Sequence, residues 1–307
     1  GRGDPAPSVK RKVARGVLFC SQGRGSMAYA GKNFGARSEM AYETILYDVA
    51  DEIATVTLNR PAKMNAYTTT MGAEITDAMI RADADADVRV IMITGAGDRA
   101  FCAGADMSMF ASDIKTREEK PAVTERRARA VVSLPNVMRN LSKPTIAAIN
   151  GYALGVGCTI PLLFDVRIAS DNAKMGVIFP RVGLMSELGS SYLMPRLIGL
   201  ARTAEMMLTG RQYPAGECLA MGLVSRVVPL ANLMTTAREL AGDMLQCSPT
   251  SLAYTRKALY QGLDGTLETA MAFEGFALEK CYVSPEHKEY VAAFLEKRKP
   301  NFKKAKA

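Results

Sequence analysis

Three glycine-bearing stretches and one acid are the places where this sequence could do chemistry. The stretches are Ala100-Phe101-Cys102-Ala103-Gly104-Ala105-Asp106, Asn150-Gly151-Tyr152-Ala153-Leu154-Gly155-Val156-Gly157-Cys158-Thr159 and Gly183-Leu184-Met185-Ser186-Glu187-Leu188-Gly189-Ser190-Ser191. Glycine permits tight turns and close approach of the backbone to a ligand. Free N–H groups at such turns, or at a helix start, can hold an anion. Two turns that converge could make an oxyanion hole, a pair of donors aimed at a carbonyl oxygen as it gains charge. Alone, each turn is of a common kind and names no reaction. Glu187 is the acid of the third stretch. Set among Leu184, Met185 and Leu188, its carboxyl should have a raised pKa, which suits a proton carrier. Its structural alternative is an acid in the first turn of the following helix, favoured by the helix dipole.

The elements that must hold these stretches follow from periodicity. Thr44–Asp48 and Ile53–Leu58 alternate, with Ala54, Val56 and Leu58 on one face and Asp51-Glu52 as the turn, which reads as a hairpin. Met71, Ile75, Ala78 and Met79 recur at helical spacing over 68–81. Val90–Thr94, Thr145–Ile149 and Val166–Ala169 are short apolar runs, read as buried strands, and 111–140 reads as helical. Strand and helix in alternation predict an α/β core. From about residue 231 the pattern is helical to the end. The expected organisation is a weakly ordered extension over 1–39, a core over 40–230 and a helical segment over 231–307.

Composition excludes several classes. The 307 residues are 48% hydrophobic and 23% charged, ordinary for a globular protein. No apolar run approaches the roughly 18 residues of a membrane span, so none is expected. The formal charge of +8 sits at the ends: eight Lys/Arg against two acids in 1–39, and six against one in 296–307. The body is therefore slightly acidic, and nucleic-acid binding by the folded domain is not expected. The first stretch is Arg-rich and nearly acid-free, as transit peptides are, and fits upstream or vector-derived sequence ahead of Met40 equally well. Six cysteines form no C-x-x-C pair, and the single His287 leaves no His-based triad or multi-His metal site.

Taken in order along the chain, the three stretches resemble the crotonase (enoyl-CoA hydratase/isomerase) family. The resemblance also carries Arg60-Pro61-Ala62-Lys63-Met64-Asn65-Ala66, Leu208-Thr209-Gly210-Arg211, Ala220-Met221-Gly222-Leu223-Val224 and Ala293-Phe294-Leu295-Glu296-Lys297-Arg298-Lys299-Pro300. It spans about 42 to 302. It implies a crotonase (ClpP-like) β-β-α spiral core with a C-terminal helical segment. It implies that the backbone N–H groups of Ala103 and Val156 stabilise a thioester enolate. It places Lys63, Ala66, Ala105, Asp106 and Met107 on strips that bind coenzyme A, and Phe294 and Lys297 where the C-terminal helix reaches the same ligand. The acyl-CoA is then the substrate, with no metal and no redox cofactor, in a homotrimer or hexamer. The expected location is cytoplasmic, or mitochondrial or peroxisomal in a eukaryote.

The sequence departs from the family's hydratases at two positions. The acid that follows their Gly-x-Gly-Cys turn is Thr159 here, and the second falls at Phe179. Neither can ionise, and adding water across a double bond ordinarily uses an acid and a base. Glu187 stands where the resemblance puts a single catalytic carboxylate in isomerases of the family. The expected activity is therefore 3-enoyl-CoA to 2-enoyl-CoA isomerisation. The alternatives are hydration by one glutamate and a non-catalytic acyl-CoA- or RNA-binding protein.

Overall fold

The computed structural model describes residues 42–109, 133–303 and 305. The extension over 1–39 and most of the helical stretch expected over 111–140 lie outside the described residues. Strand β1 (Ile45–Ala50) and β2 (Ile53–Leu58) form the expected antiparallel hairpin. Its turn is Asp51-Glu52, both at positive φ (52° and 65°), the backbone that lets a two-residue turn follow the strands' twist. Helix α1 (Thr69–Ala84) starts at Thr68, whose side chain accepts the Met71 N–H at 3.1 Å.

β1 and β2 open a six-stranded sheet that continues with β3 (Val90–Gly95), β5 (Thr145–Ile149), β7 (Val166–Ser170) and β10 (Arg226–Val228), all parallel after the hairpin. The apolar runs in β3 and β5 are continuous because the sheet is covered on both faces. Ile91, Ile93, Ala147 and Ile149 pack with Met71, Ile75 and Met79 of α1. The alternate residues Val90, Met92, Ile146 and Ala148 pack with Leu233, Ala237 and Ala241 of α7 (Leu233–Leu245). The sheet's second face is thus covered by the first helix beyond residue 231.

A second sheet is built from shorter strands: β4 (Ala100–Cys102), β6 (Tyr152–Leu154), β8 (Lys174–Gly176) and β9 (Tyr213–Pro214). β4, β6 and β8 run parallel, and β9 is antiparallel to β8. The chain passes from β3 to β4, from β5 to β6 and from β7 to β8, one strand in each sheet per turn, which is the strand–strand–helix spiral expected from the resemblance. Strands of three residues carry too few positions for periodicity to reveal, so the sequence reading lacks this sheet. Buried asparagines stitch its corners. Asn150 accepts the Gly95 N–H (3.1 Å) and donates to Gly95 O (2.9 Å) and Gly97 O (2.7 Å). Asn65 donates to Ala96 O (3.0 Å) and Ala100 O (2.8 Å) and accepts the Arg60 N–H (2.9 Å).

The remaining helices are α2 (Ser133–Asn140), the one-turn α3 (Val156–Thr159), α4 (Ser190–Ile198), α5 (Leu200–Thr209), α6 (Ala215–Met221), α8 (Pro249–Gly262), α9 (Leu267–Tyr282) and α10 (Pro285–Leu295). One buried ion centre fastens α8 to the sheet. Asp165 accepts Arg256 Nε (2.9 Å), the Thr145 N–H (2.8 Å) and the Tyr260 hydroxyl (2.6 Å). Arg256 also donates to the carbonyls of Met138 (2.5 Å) and Leu141 (2.6 Å). Among the described residues, no helix is long and apolar enough to cross a membrane.

Candidate active site

The second sheet places two of the glycine turns side by side. One follows β4 at Ala103–Asp106, the other follows β6 at Gly155. A Cβ built on Gly155 would lie 3.9 Å from Gly104 Cα, and one on Gly104 would lie 3.4 Å from Leu154 O. Gly157 is required by a closer approach: a Cβ there would stand 2.0 Å from Cys102 O. Only a residue without a side chain lets α3 sit directly on β4.

The backbone hydrogen bonds decide which amides of these turns can take a ligand. Ala103 N–H, expected as an oxyanion donor, already donates to Met64 O at 3.1 Å. Tyr67 pairs with Ala105 in a parallel bridge: Tyr67 N–H donates to Gly104 O (2.8 Å), and Asp106 N–H donates to Tyr67 O (2.9 Å). In a planar trans peptide the N–H points opposite to the C=O it shares a plane with. With Gly104 O turned to Tyr67, the Ala105 N–H is turned away from it. Among the described residues neither the Ala105 nor the Val156 N–H has a hydrogen-bond acceptor. Val156 is the first residue of α3, where an N–H has no partner within the helix. The amide expected to be open at Ala103 is therefore engaged, the open one on this turn is that of Ala105, one peptide plane past Gly104, and Val156 keeps its open amide. The alternation of a bridged strand is the signal that identifies Ala105, and it needs the pairing with Tyr67 to be known.

Around the turns the segment expected to bind coenzyme A is braced by Arg60. Its guanidinium donates to Ala66 O (2.5 Å) and to the Asp106 carboxylate (2.9 Å). Asp106 also accepts the Ser108 hydroxyl at 2.8 Å. The Arg60 hydrogen bond, then those from Ser108, hold the Asp106 pKa down at about 2. Asp106 is a charged strut, not a proton carrier. Lys63 ends a short 3-10 turn (Pro61–Lys63) and is exposed, as is Met107. Phe294 and Lys297, at the end of α10, are exposed, and among the described residues no hydrogen bond or ion pair links them to the Lys63 strip or to either turn.

Glu187 lies outside the first turn of α4: Gly189 is the N-cap, and no acid occupies that turn. The helix-dipole alternative for this residue therefore falls away. Its side chain is half-buried, and among the described residues its carboxylate accepts no hydrogen bond. Burial pushes its pKa above the ordinary carboxylate value. Leu184 and Met185, expected to bury it, are exposed at 44% and 73%. The neighbour that packs on the core is Leu188, held at φ 54°, a left-handed conformation that costs a branched side chain roughly 1–2 kcal/mol. Such strain gathers at functional segments. Thr159 is fully buried and its hydroxyl turns back to Val156 O at 3.3 Å, while Phe179 is packed in the core. Neither position offers an ionisable group.

Comparison with known proteins agrees with this architecture. The enoyl-CoA hydratase/isomerase family profile matches residues 48–305. The chain is 32% identical over 260 residues to a short-chain-enoyl-CoA hydratase of Clostridium acetobutylicum, covering 85% of this chain and 97% of that one. It is 36% identical over 266 residues to a probable enoyl-CoA hydratase of Mycobacterium bovis, covering 86% and 99%. The crystal structure of an enoyl-CoA hydratase from Bacillus anthracis superposes with a TM-score of 0.77 at 32% identity, covering 85% of this chain and 99% of that one. With its two-sheet spiral and adjoining amide turns, the chain belongs to the enoyl-CoA hydratase/isomerase family and has the crotonase fold.

Proposed function

We propose that this chain processes enoyl-CoA thioesters through an enolate, with Ala105 and Val156 N–H groups on the thioester oxygen and Glu187 as the sole proton carrier. The observation that carries the reading is a pair of unbonded amides on touching turns, with a half-buried carboxylate whose charge acts on Tyr67, the bridge partner of Ala105. Each such donor contributes about 3–4 kcal/mol to a developing oxyanion in enzymes where one has been removed.

The step preferred here is the shift of a 3-enoyl-CoA to a 2-enoyl-CoA, supported by the presence of a single carboxylate. Glu187 takes a proton from C2, the electron pair spreads through the thioester and the double bond, and the same carboxyl returns the proton to C4. One carboxylate suffices, and Thr159 and Phe179 supply no second. Neither a metal nor a redox cofactor enters the step; the coenzyme A thioester is the substrate. Lys63, Ala66, Asp106 and Met107 form its binding strip. Phe294 and Lys297 reach it from a neighbouring subunit of a homotrimer or hexamer, a reading supported by exposed apolar side chains along the last helices, among them Leu267, Met271, Phe294 and Leu295.

A second reading is hydration of a 2-enoyl-CoA with Glu187 alone. The names of the relatives above favour it. Assaying crotonyl-CoA for water addition and a 3-enoyl-CoA for the double-bond shift separates the two. Glu187→Gln should abolish whichever activity is found; turnover near wild type would remove Glu187 from the mechanism.

A further inference from the structure

A single carboxylate can carry a proton, but hydration also needs a group that holds the incoming oxygen. Tyr67 is placed to be that group. Its backbone is the bridge partner of the Ala105 turn, and its ring packs on the same core cluster as Ala105 and Leu188, the residue after Glu187. Its hydroxyl reaches the first turns of α1 at Gly72. A Cβ at 72 would stand 1.9 Å from the Tyr67 oxygen and 2.7 Å from the ring carbon that bears it. Glycine is the weakest helix former after proline, and here its missing side chain is the seat of the tyrosine. Among the described residues the hydroxyl has no hydrogen-bond partner. Burial, and then the charge of Glu187, push its pKa up to about 12, so it keeps its proton at working pH.

We propose that Tyr67 determines reaction specificity: its hydroxyl, seated over Gly72, binds the oxygen that adds to C3 of the acyl chain, a water molecule or the 3-hydroxyl it becomes. The inference rests on the second reading above, hydration with Glu187 as proton carrier. In the step, the water oxygen bonds to C3 and one of its protons passes to Glu187. The C2–C3 π pair moves into the enolate, and Glu187 returns the proton to C2. Tyr67 makes and breaks only hydrogen bonds. The double-bond shift involves no water and does not need this contact.

The test uses the full chain and two assays, crotonyl-CoA hydration and 3-enoyl-CoA isomerisation, on wild type, Y67F, G72A and E187Q. Y67F should lower kcat for hydration by about tenfold, the worth of one hydrogen bond, with KM and melting temperature nearly unchanged and isomerisation within about twofold of wild type. G72A, whose methyl group displaces the hydroxyl, should reproduce that selective loss. Absence of hydration in the wild type, wild-type hydration in Y67F, or an equal fall in both reactions would overturn the proposal. E187Q keeps the two ideas apart. Retained turnover there sinks the reading of Glu187, whereas an inactive E187Q beside an unaffected Y67F sinks only the role of Tyr67.

Discussion

The two sides of the site are built in opposite ways. On the amide side, Ala105 and Val156 are held by backbone pairing to Tyr67, by buried Asn65 and Asn150, and by the Arg60–Asp106 strut. On the carboxylate side, Glu187 sits in a segment with Val182, Leu184 and Met185 exposed, a left-handed Leu188, and a buried Ser186 hydroxyl without a partner among the described residues. The first side is fixed by main-chain geometry that many side chains would tolerate. The second depends on one side chain and its immediate surroundings. In the proposed mechanism, stabilising an enolate is therefore a property of the scaffold, while the fate of the proton is a property of one replaceable segment.

Four substitutions or measurements press on that contrast. Glu187→Gln should cost the largest factor, about 10²–10⁴ in kcat, the usual worth of a positioned acid–base group, with acyl-CoA affinity retained; a parallel loss of binding would mean that the two sides are not separable. Gly157→Ala attacks the scaffold side. Its methyl must push against Cys102 O, so stability should fall by about 1–3 kcal/mol along with activity, read by denaturant melts. Arg60→Gln should loosen the strip and raise KM for the acyl-CoA by up to about tenfold, leaving kcat much less affected.

The smallest effect is on stability through pH. The Glu187 carboxyl ionises near 4.5 when unfolded and higher when folded. Stability assisted by its neutral form is therefore present below the unfolded pKa and lost as pH rises through that value to the folded one. At neutral pH the folded state carries a half-buried charge, so Glu187→Gln should melt slightly higher than wild type, and the gain should vanish in acid. The same titration sets the acid limb of kcat/KM above the ordinary carboxylate range, because the base must be ionised. An acid limb at or below that range would contradict the burial of Glu187.

Much of the architecture could be read from the sequence. The hairpin and the face of α1 follow from periods of 2 and 3.6, and the strands at Val90, Thr145 and Val166 from short continuous apolar runs. The second sheet did not show, because its strands run two or three residues and are held by asparagine side chains rather than by a hydrophobic pattern. The resemblance located the two turns and Glu187, but the choice between Ala103 and Ala105 depends on which carbonyl turns toward Tyr67, a long-range pairing that no local spacing encodes. Tyr67 has no place in any of the stretches that the sequence singles out. Its relation to Gly72 appears only when the chain is folded.

The carboxylate of Asp165 has a consequence for how the molecule comes apart. It is shared between the start of β5 and two residues of α8, with the Arg256 guanidinium sealed beneath it. Peeling away the last fifth of the chain would strand that anion at the edge of the sheet, and orphaning one member of such a buried pair typically costs about 3–5 kcal/mol. The final helices and the six-stranded sheet should therefore melt as one cooperative unit, and a shortened chain ending near residue 245 would lose that sheet together with its tail.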